Sequence, residues 1–228
     1  MMKRLILIFC LIFFSLTNCF AGNIAPSETT VATIITMARY YLNDEEDNFW
    51  SDAELLNWIN QGTIDIVSRS QCLTAILDDI DLIASTYEYT MPQDYISISK
   101  IIYVDSDGTL QGLVKRDMQA IGDIPALGQP GWWYEWAGKI GIYPALAAVT
   151  SENIIVYYVS RPAKLTLTTE DVLVPAQYDN ALILYVVAQA MFKDRMFGSY
   201  NQIIGMYQAE LDRYRFDLNQ FIQEKVKG

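Results

Sequence analysis

Apolar residues recur at helical spacing in two blocks of this chain and at strand spacing in the block between them. From 31 to 42 the positions Val31, Ile34, Ile35, Ala38, Tyr41 and Leu42 follow a 3.6-residue repeat, which predicts a helix. A second helix is expected at Ser51, which stands three residues before Glu54 in a capping box. There each side chain satisfies a backbone N–H that the helix start leaves unpaired. The buried stripe expected for this helix is Leu56, Ile59, Thr63 and Ile66, with Trp50 as a staple on the first turn. Trp50 and Trp58 read as core rather than as stacking platforms.

The period then shortens to two. Tyr87 and Tyr89 alternate with Thr86, Glu88 and Thr90, and Ile96 and Ile98 alternate with Ser97 and Ser99. Asp105-Ser106-Asp107-Gly108 reads as a turn between strands at 100–104 and 109–114. Residues 132–136 and 140–143 flank Ala137-Gly138-Lys139 as a hairpin, and 153–160 supply another strand that Pro162 stops. No helix-length crossover separates most of these strands, so one antiparallel sheet with short connections is expected. The stretch 118–129 is expected to hold a short helix. Gly108, Gly112, Gly128 and Gly131 read as turn glycines.

Helix returns at Pro175, placed in a first turn where its missing N–H costs nothing. Residues 181–192 are apolar on nearly all sides apart from Gln189, which predicts burial all round. The run is too short for a bilayer span, which needs roughly 20 residues. After Gly198, the positions Ile203, Tyr207, Leu211, Tyr214, Leu218 and Phe221 mark a long amphipathic helix. The fold class that follows is α+β: a bundle of about four helices with an inserted antiparallel β-sheet region. Helices fall in 29–71 and 175–225, the β-rich insert in 80–162, and a single domain covers 23–228.

Residues 1–22 stand apart from that pattern. Lys3-Arg4, an apolar run over 5–16 and Cys19-Phe20-Ala21 have the order of a secretory signal peptide with cleavage after Ala21. Export would make the product periplasmic or secreted. A lipoprotein reading through Cys19 fits less well, because Asn18 stands where a small residue is wanted. A third reading is a misassigned start. Met37, the next methionine, falls inside the first helix, so a shorter product would begin at a non-Met codon.

Charge narrows the partners. The net charge is −11, and without Lys3 and Arg4 it is −13. Wrapping a phosphate backbone needs clusters of Lys and Arg, so an acidic chain argues against that role. A duct through which DNA slides is compatible with it, since a negative wall repels phosphates. A chain this rich in tyrosine and tryptophan suits an interface as well as a core.

Candidate chemistry is sparse. There is no histidine, which removes Ser-His-Asp and Cys-His catalysis and His-ligated metals. Cys10 and Cys19 lie in the leader, so Cys72 alone remains and a processed chain has no internal disulfide. Asp44-Glu45-Glu46-Asp47 fails as a calcium loop, with Phe49 at the sixth position and Leu55 at the twelfth. It reads as a solvated loop ending the first helix. Asp78-Asp79 and Glu170-Asp171 read as solvated loop charges, and Asp94 as turn chemistry. No GxGxxG, GxxxxGK[ST], CxxC or GxSxG is present. No catalytic, cofactor-binding or metal-ligating residue is assigned, and no cofactor is expected. An Asp/Glu mechanism is the enzymatic route that histidine absence leaves open.

The order of the landmarks carries a resemblance. Trp50-Ser51-Asp52-Ala53-Glu54-Leu55-Leu56 is followed by Asn57-Trp58-Ile59-Asn60-Gln61-Gly62. Then come Met91-Pro92, Gly128-Gln129-Pro130-Gly131-Trp132-Trp133-Tyr134, Ile142-Tyr143-Pro144-Ala145, and Val156-Tyr157-Tyr158-Val159-Ser160-Arg161-Pro162. Leu173-Val174-Pro175-Ala176-Gln177-Tyr178 and a helix ending Lys193-Asp194 close the series. The series, over about 29–222, resembles the head-to-tail adaptor (connector) proteins of tailed bacteriophages, particularly the short-tailed type. The resemblance implies a structural virion protein and not an enzyme. It also implies a homo-oligomeric ring, commonly of twelve copies, docked beneath the portal and joined to tail proteins. DNA passes through such a ring without sequence-specific binding. Assembly would be in the host cytoplasm, and the leader is the departure from that pattern. The alternative is an exported envelope protein that reuses the fold as a binding or assembly module.

Overall fold

The computed structural model describes residues 27–46, 49–120, 126–148 and 152–227, with 215–227 as backbone only. The expected leader at 1–22 lies outside the described residues. Helix α1, Val31–Leu42, starts at Thr30, whose hydroxyl accepts the Thr33 N–H, and ends at Asn43 in the left-handed conformation. Helix α2, Asp52–Ser70, begins with the expected capping box. Ser51 Oγ accepts the Glu54 N–H at 3.3 Å, and the Glu54 carboxylate accepts the Ser51 N–H at 3.4 Å. Its buried face is led by Leu55 rather than Leu56, with Ile59, Thr63 and Ile66 as expected. Trp50 is buried and meets Trp58 edge to face.

Eight strands follow: β1 Thr74–Asp81, β2 Glu88–Thr90, β3 Tyr95–Val104, β4 Leu110–Gly112, β5 Val114–Lys115, β6 Trp132–Trp136, β7 Lys139–Tyr143 and β8 Asn153–Ser160. They form two sheets rather than one. The first has the order β1-β8-β3-β4 and is antiparallel throughout; the second has the order β2-β7-β6-β5, with β5 parallel to β6. The division has a local cause. Leu113, buried between β4 and β5, donates its N–H to Ile101 of the first sheet, while Val114 donates to Gly131 beside the second. One residue thus carries the chain from one sheet edge to the other.

Several expectations are corrected here. Asp78-Asp79 lies in strand β1, not in a loop. Gly112 pairs with Ile102 inside β4 and is not a turn glycine. Gly141 is buried because the ring of Tyr134, its cross-strand partner, covers it. The expected short helix in 118–129 is a single 3₁₀ turn, Met118–Ala120, and 121–125 lie outside the described residues.

Helix α3, Asp179–Lys193, is preceded by a 3₁₀ turn, Ala176–Tyr178. Pro175 therefore caps that turn and accepts the Tyr178 N–H, and the α-helix starts four residues after it. Ala181, Leu182, Val186 and Ala190 are fully buried, because α3 is the central helix that α1, α2 and helix α4, Phe197–Lys227, all pack against. Phe192 departs from the expected burial and is half exposed. Tyr207 and Leu211 of α4 are buried, and Ile203 and Tyr214 are partly so. The side chains of Leu218 and Phe221 lie outside the described residues.

Two cores result. One gathers the helices with Val159 of β8 and with Leu165, Val172 and Val174. The other lies among the strands, around Ile101, Tyr103, Trp133, Ile140, Ile142 and Ile154. The helical unit has two distinct ends. At one, Lys193 pairs with Glu54 and Arg39 with Asp52, which brings together the end of α3, the start of α2 and the end of α1. At the other, Ser70 leads into β1, and Ser160 at the end of β8 donates its N–H to Leu73.

Candidate functional site

The candidate site is a surface. Strand β5 continues into Arg116 and Asp117 along the edge of the second sheet. There a cleft of about 820 Å³ opens, lined by Tyr95, Lys115, Arg116, Met118, Glu135 and Trp136 among others. The Arg116 guanidinium lies 3.6 Å from the centroid of the Trp132 ring, and Lys115 Nζ lies 4.9 Å from that of Trp133. These cation–π contacts hold both cations against the sheet. Lys115 also pairs with Glu135 at 3.3 Å, and the Tyr95 hydroxyl donates to the same carboxylate at 2.9 Å. Burial, and then the hydrogen bond to Glu135, push the Tyr95 phenol above its ordinary range. The Asp117 carboxylate accepts the Gln119 N–H. Among the described residues no carboxylate lies within ion-pair distance of Arg116. Trp136 is 59% exposed and Val114 also 59%. The arrangement can grip an apolar surface that carries carboxylates.

The opposite end of the helical unit carries the acidic segment that the sequence marks as a solvated loop. That expectation is corrected for Asp44. Its carboxylate is 7% exposed, pairs with Arg39 at 3.1 Å and accepts the N–H groups of Phe49 and Trp50, each at 3.0 Å. Asp44 is therefore the anion around which the α1–α2 connection folds. Its neighbours Glu45 and Glu46 are exposed, as expected, and Asp47 lies outside the described residues. Exposed aromatics cluster at the same end. Phe49 packs edge to face on Trp50, and Lys193 lies over the Trp50 ring at 5.2 Å. Phe192 contacts both Phe197 and Tyr200.

The remaining acidic landmarks have structural tasks. The Glu170 carboxylate accepts the N–H groups of Thr166 and Leu167, which hold it below its ordinary range. Asp94 accepts from the Tyr158 hydroxyl at 3.5 Å, and its carbonyl accepts the Arg161 N–H. Cys72 is partly buried, and burial pushes its thiol up, away from the reactive thiolate. Among the described residues no group of three or more His, Cys, Asp or Glu could hold a metal ion. Among them, too, no helix is long and apolar enough to cross a membrane.

A family model described as the SU10 adaptor protein matches residues 29–224. The chain belongs to the SU10 adaptor protein family. The matched span contains both cores, the cleft beside β5 and the Asp44 loop, and it is nearly the stretch over which the ordered landmarks resemble phage connectors. SU10 adaptors are a structural phage family rather than a class of enzymes. No curated protein matches the chain in sequence.

Proposed function

We propose that this protein is the head-to-tail adaptor subunit of a tailed phage, assembling as a closed ring of about twelve copies beneath the portal. Tail proteins dock on the far side of the ring, and DNA passes through its centre. The observation that carries the reading is the family match across 29–224, which takes in both cores. The net charge of −11 supports the conduit part of it, since a predominantly acidic subunit offers phosphates no continuous adhesive track. The aromatic end of the helical unit, with Phe49, Phe192 and Phe197, and the cleft beside β5 supply two separate surfaces for neighbours.

Native mass of the purified chain tests the ring. A closed assembly of roughly twelve times the 26.0 kDa of one copy is the expected result. A single copy at all concentrations, with or without portal protein, would overturn it.

A further inference from the structure

We propose that neighbouring copies join edge to edge through the sheet region, the acidic edge strand β1 of one copy docking on the cleft beside β5 of the next, where Arg116 has no carboxylate within ion-pair distance among the described residues. The proposal rests on the ring reading and names the surfaces that close it. Its starting point is topology. Strand β1 is one edge of the first sheet and β4 the other, while β2 and β5 are the edges of the second. Short connections tie like edges together: residues 82–87 join β1 to β2, and Leu113 alone joins β4 to β5. The two-sheet unit therefore has one flank made of β1 and β2 and an opposite flank made of β4 and β5.

The flanks differ in charge. Strand β1 reads Thr-Ala-Ile-Leu-Asp-Asp-Ile-Asp, with three acidic residues and no basic one. Asp78 and Asp81 are exposed, and the side chain of neither is in an ion pair among the described residues. The opposite flank carries Lys100, Lys115 and Arg116, all exposed, against Asp117 and Glu135. Glu135 already pairs with Lys115, so the positive charge this flank offers a neighbour is that of Lys100 and Arg116. Each flank also exposes apolar side chains: Ile76 and Ile83 on the acidic one, Val114, Leu110 and Trp136 on the basic one. Apolar area with complementary charge around it is the composition of a docking pair.

Charge also selects the symmetry. An open edge strand is a template for pairing with another strand, and charges on it suppress the wrong pairings. Two β1 edges repel, which disfavours a two-fold dimer through that edge. A β1 edge meeting a β5 flank attracts. Complementary surfaces on opposite sides of one subunit make a head-to-tail contact, which closes into a ring when the rotation allows.

Two charge-reversed full-length chains test this, Lys115→Glu with Arg116→Glu, and Asp78→Lys with Asp81→Lys. The second is the cleaner, because Lys115 and Arg116 also make the Glu135 and Trp132 contacts. Thermal melts followed by circular dichroism check that each chain folds. In sedimentation at low salt the unsubstituted chain is expected to assemble, and high salt to weaken it. Each variant alone should self-associate more weakly, by about tenfold or more. An equimolar mixture of the two variants should assemble again, because every junction then joins opposite charges. Variants that assemble like the unsubstituted chain, or a mixture that does not recover, would overturn the edge contact and leave the ring standing on other surfaces. An unsubstituted chain and a mixture that both stay as single copies, with portal protein as well as without it, would overturn the ring and the edge contact together.

Discussion

Arg39 near the end of α1 and Asp44 just beyond it form an ion pair at 3.1 Å in which each side chain is only 7% exposed. Arg39 reaches on to Asp52 in the first turn of α2, and Asp44 accepts the Phe49 and Trp50 N–H groups. The pair thus fixes the loop that presents Phe49 and positions the start of α2. Removing Asp44 takes the buried carboxylate from Arg39, which keeps the more exposed Asp52, and leaves the Phe49 and Trp50 N–H groups without their acceptor. Asp44→Ala should therefore lower stability by about 3–5 kcal/mol, read from denaturant midpoints. The Arg39→Met, Asp44→Ala double variant should lose less than the sum of the single losses. Strict additivity would show that the two side chains act independently.

Ser51→Ala removes the cap of α2 and should cost about 1 kcal/mol. The Glu54 carboxylate is held below its ordinary 4.5 first by Lys193 and then by Ser51. A lowered folded pKa gives stability that is present above the ordinary value and lost as pH falls through the folded one. Glu54→Gln should accordingly flatten the acid limb of the stability curve below about pH 4.5. An unchanged acid limb would remove Lys193–Glu54 as a folded-state contact.

Tyr207 of α4 donates its hydroxyl to Asp65 of α2, which also pairs with Arg69 at 2.9 Å. Burial first, and Asp65 second, push the phenol well above its ordinary value of 10. The sign here is the reverse of the carboxylate case. Stability is fully present below pH 10 and is lost as pH rises towards the folded value. Tyr207→Phe should cost about 1.5 kcal/mol near neutrality. Above pH 10 the variant should decline less steeply than the unsubstituted chain. Parallel alkaline limbs would contradict the assignment.

Gly141 leaves room for the Tyr134 ring laid across it from the neighbouring strand. A methyl at position 141 would collide with that ring. Gly141→Ala should cost about 1–3 kcal/mol by displacing it. Made in a Tyr134→Ala background, the same substitution should add little further loss, because the ring that clashes is gone. Equal penalties with and without the ring would show that the strand, and not the ring, rejects the methyl.

The helical part of this fold was legible because local signals there agree with the tertiary outcome. Ser51 and Glu54 announce the start of α2 by a contact between near neighbours, and the apolar run of α3 is read directly as a central helix. The sheet region was less legible. Strand β1 alternates Ala75 and Leu77 with exposed Ile76 and Asp78, but its acidic content masks that alternation, and a bulge between Leu77 and Ile80 breaks it. The split into two sheets depends on Leu113, whose role comes from partners on distant strands. Asp44 was hidden for the same kind of reason. Its burial is decided by Arg39 and by the returning chain at Phe49 and Trp50, and nothing in a run of four acidic residues marks the first as different. The cleft beside β5 was hidden too. Lys115 and Arg116 meet Trp133 and Trp132 only because β5 runs parallel to β6, and short antiparallel connections do not predict that.

The central claim, an adaptor ring at the head-to-tail joint, is tested most directly by an electron-microscopy reconstruction of that joint in particles made with this gene. The expected result is a ring of subunit density between portal and tail into which the helical unit and the two sheets fit, with β1 of one copy beside β5 of the next. Intact, DNA-filled particles whose joint lacks this fold, while the protein is recovered elsewhere, would contradict the account.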